Sequence, residues 1–299
     1  MNKISIVILT FNSARIILPC LESIFSQMVD NLEVIIVDNG STDTTIKVIR
    51  NSYAQVSLIE NNKNLGACEA RNQGIGIASG DWILTLDCDV VLEKCFFDNL
   101  SKAIDGLSGD IGMIQPKILR ADKRTVYSLG IFLSSFRRFY DIGYNQIDRG
   151  QFQSLRNIFG VCSAAAVYRR SMLEAIKEKT GYFDQRFFFL VEDLDLAWRA
   201  QRRGYKALYS PEVVCYHAGN SSQTNKSLRQ YLCFRNRFYA IKKNEGLVKY
   251  FTKIFPFLFY DLPRFIYLSL VNPLMIKGTK RLLRPAVGGA RNDTIVNQS

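Results

Sequence analysis

Two textures alternate through the first hundred residues, and this alternation narrows the fold more than any other feature. The run ISIVILT, Ile4 to Thr10, is apolar at nearly every position, as a strand buried on both faces must be. SARIILPCLESIFSQ follows with helical spacing and Ser13 placed to cap it. LEVIIVD reads as a second buried strand, STDTTIKVIRNSY as a helix, and VSLIE as a short strand. GACEARNQGIGIAS reads as a helix rich in glycine, and DWILTLD as the next strand. Strands that alternate with helices need crossover connections, so the expected class is α/β with a mostly parallel sheet flanked by helices.

The pattern weakens between Ile111 and Tyr168, where GMIQPKIL and GVCSAAAVY are the expected strands. SMLEAIKEKTG then reads as a helix closed by Gly181. EDLDLAWRAQRRG is a clearer helix, with acids in its first turn, arginines in its last and Gly204 as its stop. KALYSPEVVCYH is a last short strand region, and LRQYLCFRNRFYAIKKN follows it.

In an open α/β sheet, ligands bind at the carboxyl ends of the strands. The polar residues of this chain collect there. The first strand ends in Thr10 and Asn12, the second in Asp38, the third runs into NNKNLG, and the fourth ends in Asp87 and Asp89. Two carboxylates two residues apart repel unless something neutralises them. A hard divalent cation does so, since Mg2+ takes one or two carboxylates together with substrate phosphates. The pattern D-x-D is weak alone. Its place at the end of DWILTL gives it weight.

SIVILTFN, VIIVDNGSTD, NNKNLGACEARNQGI, GDWILTLDCDV and FFFLVEDLDLAWRAQRRGY, in this order, resemble the successive signatures of family 2 inverting glycosyltransferases. The resemblance runs from Ile4 to Ser222. GYFDQRFFFLVEDLDLAWR and the later YHAGNSS are most similar to the branch that includes bacterial rhamnosyltransferases. It implies a GT-A fold over residues 1–222, with a nucleotide-binding half over about 1–105 and an acceptor half over about 106–222. Residues 223–299 form a basic, amphipathic extension.

The same resemblance implies roles. The donor is a nucleotide-diphosphate-sugar of the UDP or dTDP type, and Mg2+ or Mn2+ is the cofactor. Asp38 is matched to the residue that accepts from the base, with Thr10 and Asn12 as the floor of that pocket. Asn64, Gly66, Arg71 and Asn72 fall in the motif around the ribose and diphosphate. Asp89 is matched to the direct metal ligand, with Asp87 beside it on metal and substrate, and His217 completes the shell. Asp193 is matched to the general base, preceded by Glu192 on the substrate side. Residues two apart on a helix do not share a face, so Asp195 is expected to pair with an arginine instead. Trp198 lies four residues from Leu194 and is expected in the core.

Of the net charge of +12, residues 221–299 carry +11, with 14 Lys/Arg against 3 Asp/Glu. Interleaved with aromatic runs, this charge suits a segment lying on an anionic membrane surface, where a lipid-linked sugar or glycan acceptor would be met. No RNA- or DNA-binding pattern accompanies it, so no nucleic acid partner is expected. The longest uncharged apolar run in this region, FIYLSLVNPLMI, has 12 residues, too few for a spanning helix. Seven cysteines without a CxxC pair, and an N-terminus without the pattern of a signal peptide, give an expected cytoplasmic location on the inner face of the membrane. Oligomeric state has no signature.

Three other readings stay open on the residues alone. A nucleotidyltransferase calls for a glycine-rich loop with a base after the first strand, whereas LTFNSAR has no glycine. A dinucleotide oxidoreductase calls for G-x-G-x-x-G there, which is missing. A non-enzymatic membrane- or nucleic-acid-binding module would rest on the basic extension.

Overall fold

The computed structural model describes residues 2–27, 29–219, 225–246 and 254–275. β1 (Ile4–Thr10), β2 (Leu32–Asp38), β3 (Ser57–Glu60) and β4 (Trp82–Asp87) form where the apolar runs predict, joined by α1 (Ile17–Phe25), α2 (Thr45–Ser52) and α3 (Ala67–Ile77). β1 lies between β2 and β4, parallel to both, and β3 continues the sheet parallel to β2. The remaining strands are β5 (Val90–Leu92), β6 (Ile111–Arg120), β7 (Val126–Ser128), the hairpin β8 (Ile131–Leu133) and β9 (Phe139–Asp141), β10 (Asn157–Ile158), β11 (Ala165–Arg169) and β12 (Lys206–His217). The remaining helices are α4 (Phe96–Ile104), α5 (Arg170–Ile176), α6 (Glu192–Arg202) and α7 (Lys226–Asn244). The last described helix, α8, spans Ile254–Val271 and contains a π turn over Phe257–Asp261.

Strand order is β10-β12-β6-β11-β4-β1-β2-β3. β11 runs antiparallel between β4 and β6, while β12 returns parallel to β6. Alternate residues of β1 feed opposite layers. Ile6 and Ile8 pack with α1 and α4 through Leu21, Ile24 and Phe97, and Val7 packs with α3 and α6 through Ile75 and Leu196. The glycine richness of α3 has a packing cause. A Cβ at Gly74 would lie 2.4 Å from Val7 Cγ1 and 3.2 Å from Val37 Cγ2, so the helix rests its backbone on β1 and β2.

Several boundaries differ from the sequence reading. Ser13 does not cap α1 with its side chain. Its carbonyl accepts from Ile16 and Ile17 N, and its hydroxyl accepts from Cys88 Sγ. α5 ends at Ile176, and Gly181 instead bridges Glu178 in a tight loop. β11 begins at Ala165, five residues after the start of its predicted run. The expected boundary at 222/223 is not a packing boundary: Ala240 and Ile241 of α7 belong to the main core, against α6. Asp195 pairs with Arg199 at 2.9 Å and Trp198 is buried, as expected.

α8 is longer than the uncharged run found in the sequence. Among the described residues it is one helix long and apolar enough to cross a membrane, with a mean hydropathy of 1.4 over 18 residues. The helix runs through Asp261 and Arg264, which interrupt its apolar sequence. Asp261 is buried against Arg237 of α7 at 2.9 Å.

Candidate active site

Register brings the strand ends together. Thr10 of β1 lies beside Asp38 of β2, and Leu9 beside Asp87 of β4. Asp38 is fully buried. It accepts from Thr10 Oγ1 at 2.9 Å, Ser41 N at 2.8 Å and Ser41 Oγ at 2.5 Å. These three donors brace the strand ends and fix the direction of the Asp38 carboxylate. Asn12 adopts φ 49°, donates from its N to Ser41 Oγ and accepts from Thr42 N through Oδ1, each at 2.8 Å. Asn64 Oδ1 accepts from Gly66 N and from Asn39 Nδ2, both at 2.9 Å. Asn39 also accepts from Leu65 N at 2.9 Å. It was not singled out from the sequence, although it follows Asp38 directly at a strand end.

Arg71 and Asn72, adjacent on α3, go separate ways. Asn72 exchanges two hydrogen bonds with the Phe183 backbone, both at 2.8 Å, and so ties α3 to the segment before α6. Arg71 is buried and donates to Glu192 Oε1 at 2.6 Å and to Asp87 Oδ1 at 3.1 Å. Burial disfavours its charge, but Asp87 and Glu192 outweigh that and raise its pKa. Glu192 Oε2 is buried with no hydrogen-bond partner.

Asp87, Asp89 and His217 offer ligand atoms that all lie within 4.8 Å of one another. The antiparallel pairing of β5 with β12, which sets His217 opposite Val90, closes this set across 128 residues of sequence. His217 Nε2 lies 3.1 Å from Asp89 Oδ1. The Tyr127 and His217 rings pack edge to face with centroids 4.2 Å apart. Asp87 lines the cleft with its side chain 28 % exposed, while Asp89 and His217 lie beneath. Burial raises the Asp87 pKa against the opposing pull of Arg71. Burial works against a charged His217, yet Asp89 and Asp87 raise its pKa.

The donor set fits a divalent cation. His217 Nδ1 is buried with no hydrogen-bond partner, and two carboxylates lie beside the imidazole with ligand atoms within 4.8 Å of one another. Three protein ligands leave the other positions of a hard cation to water and phosphate oxygens.

Asp193 stands in the first turn of α6, half-buried, with Oδ1 accepting from Leu194 N at 2.8 Å. Burial first, then the carboxylates of Glu192 and Asp141, push its pKa up to about 7. Asp141 accepts from Ser128 Oγ at 2.7 Å, and burial raises its pKa too. Asp141 and Tyr127 both escaped the sequence reading because they come from the weakly patterned middle of the chain.

A mostly parallel sheet with polar residues at the ends of β1 to β3, and a D-x-D after β4 closed by His217, is the arrangement of the GT-A fold. The chain matches the model of Glycosyl transferase family 2 over residues 5–177 and belongs to that family. That membership favours the transferase reading of residues 5–177 over the nucleotidyltransferase and oxidoreductase readings, while the basic extension lies outside the match. A PGL/p-HBAD biosynthesis glycosyltransferase of Mycobacterium bovis is 33% identical over 176 residues, which cover 58% of this chain and 61% of that one. The chain spans less than two thirds of the length of the curated relatives it matches. Among solved structures, the mannosyltransferase PcManGT of Pyrobaculum calidifontis, in complex with GDP-Man and Mn2+, superposes with a TM-score of 0.57 at 20% identity, covering 99% of this chain and 78% of that one. S. aureus TarS 1–349 in complex with UDP superposes with a TM-score of 0.60 at 19% identity, covering 93% and 78%. Asp193 and His217 lie beyond the family match, so their place in the site rests on the geometry above.

Proposed function

We propose that the protein transfers a sugar, with inversion, from a UDP- or dTDP-type sugar donor to an acceptor hydroxyl in cell-surface polysaccharide or glycolipid synthesis. A hexosyl group, rhamnosyl included, is the proposed cargo. One observation carries the reading: buried Arg71 links Asp87 of the D-x-D to Glu192, the residue before Asp193. Diphosphate side and acceptor side are thereby fixed to each other.

Asp87, Asp89 and His217 would hold the cation, Mg2+ or Mn2+, which would supply neutralisation of charge on the diphosphate leaving group. Relatives in fold with bound Mn2+ support this choice. Asn64, Gly66 and Arg71 surround the ribose and diphosphate. Thr10 and Asn12 floor the base pocket. Asp193 takes the proton of the attacking hydroxyl, and a pKa near neutrality suits a base that must be ionised yet hold the proton briefly. Asp38 is the proposed partner of the base, and the UDP complex of a fold relative supports a pyrimidine donor.

The acceptor is a glycan or lipid-linked sugar met at the membrane. α8 presents Phe255, Phe259, Tyr267 and Leu270, each more than 60% exposed, while Phe265 and Leu268 pack on α7. A helix fixed along one side to the protein, with an apolar opposite side, suits an in-plane position in the interface. Basic residues of the chain on either side of α8 favour anionic lipid. The proposed location is therefore peripheral, on the cytoplasmic face.

Thermal unfolding with Mn2+ and UDP, dTDP, GDP, ATP or NAD tests the donor class. Stabilisation by UDP or dTDP is expected. Absence of a shift with every nucleoside diphosphate overturns the reading, and a shift with GDP alone overturns its pyrimidine part.

A further inference from the structure

The segment that leads into α6 is strained. Phe188, Leu190 and Val191 all take positive φ, at 65°, 69° and 72°. Phe188, with ψ −58°, forms the tight turn in which Phe189 N donates to Phe187 O at 2.8 Å. Val191 is β-branched, and left-handed backbone is a genuine outlier for such a residue. A strained segment of this kind persists only when its surroundings over-determine it.

One side chain does most of that. Asn236 of α7 is fully buried, and its Nδ2 lies 3.0 Å from Phe187 O, 2.9 Å from Phe189 O and 2.7 Å from Leu190 O. Its orientation is fixed from the other end, because Arg235 Nε donates to Oδ1 at 2.8 Å. Two amide hydrogens thus serve three carbonyls of consecutive turns. The segment they hold faces both halves of the site. Phe188 O accepts from Cys68 N at 3.3 Å, and the Phe188 ring packs so closely on Gly66 that a Cβ there would lie 2.5 Å from Cδ2. Two residues on from Val191 stands Asp193.

We propose that Asn236 is a positioning residue. From outside the family match and outside the expected 1–222 domain, it sets the entry of α6, and with it the place of Asp193, and anchors Gly66 on the donor side. This rests on the reading of Asp193 as the base.

The test uses the full chain with Asn236→Ala, and with Leu232→Ala as a control in the buried α7–α8 cluster. Hydrogen exchange at Phe188–Leu194 and at Cys68 is expected to speed up at least tenfold in Asn236→Ala and to stay unchanged in Leu232→Ala. With a donor that supports turnover, kcat is expected to fall at least tenfold in Asn236→Ala and donor KM to rise at least threefold, because the anchors of Asp193 and Gly66 are both released. Should Asn236→Ala not fold, Asn236→Ser, which retains one donor, is read in the same way. Unchanged exchange at Phe188–Leu194, or equal effects from Leu232→Ala, overturns the proposal. A wild-type protein that turns over no nucleotide-sugar condemns the transferase reading instead. The exchange measurement still decides whether Asn236 holds the segment.

Discussion

Arg71 donates to Glu192 Oε1 at 2.6 Å, joining two residues 121 positions apart, both with side chains 5% exposed. A buried charge tolerates this only with good geometry, and the second bond to Asp87 supplies part of it. Removing the guanidinium leaves Glu192 uncompensated. Arg71→Met should therefore lower stability by about 3–5 kcal/mol. Arg71→Lys should recover only part of this, since an ammonium cannot span two carboxylates as a planar fork does. Urea unfolding of the three proteins measures both, and a loss for Arg71→Met under about 1 kcal/mol would show that the pair is not buried as described.

Asp193 gives the pH dependence. Its pKa is raised from 3.8 to about 7 by burial and by Glu192 and Asp141. A base must be ionised, so kcat/KM should rise with pH through about 7 and then level. The sign for stability is opposite. A group that binds its proton more tightly when folded contributes stability fully present below its unfolded pKa of 3.8, and this is lost as pH rises through about 7. Asp193→Asn should abolish transfer, keep nucleotide binding and flatten that stability slope. Glu192→Gln should move the activity limb to lower pH, because it removes a neighbouring negative charge. A limb that stays in place in Glu192→Gln would contradict this account.

The carboxylate pair makes a separate prediction about metal. Asp89→Ala should remove the Mn2+ dependence of nucleotide binding, and His217→Ala should weaken Mn2+ binding by more than the roughly 10–100-fold typical of outer-shell partners, because it removes a direct ligand. Calorimetric titration with Mn2+, with and without UDP, reads both. Unchanged Mn2+ affinity in Asp89→Ala would take Asp89 out of the set.

The parallel half of this fold was legible because β1, β2 and β4 are buried on both faces, so their apolar runs are continuous. The polar strand ends were legible for the same reason, as each interrupts such a run. The antiparallel β11 was placed correctly as a strand but not as a neighbour, since pairing partners have no local signal. Asp38 shows a different limit. Sequence pattern gives its position at the strand end, but the direction of its carboxylate depends on Thr10 and Ser41. Asp141 and Asn236 were invisible for a third reason: each matters only through contacts made across the fold, with Ser128 in one case and three carbonyls in the other.

α8 supplies the last prediction. Phe259 and Leu270 are 76% and 81% exposed, so their replacement should leave the fold intact. Burying two such side chains in lipid contributes about 1.5–3 kcal/mol each. The double change Phe259→Asp and Leu270→Asp should therefore weaken binding to vesicles containing anionic lipid by at least tenfold in a sedimentation assay, with an unchanged unfolding midpoint. High salt should weaken the wild-type protein further, since part of the attraction comes from the basic residues around α8. Equal sedimentation of the double variant and the wild type would move the membrane contact elsewhere. A loss of self-association in the variant, with no vesicle binding by the wild type, would make this face a contact between copies of the chain.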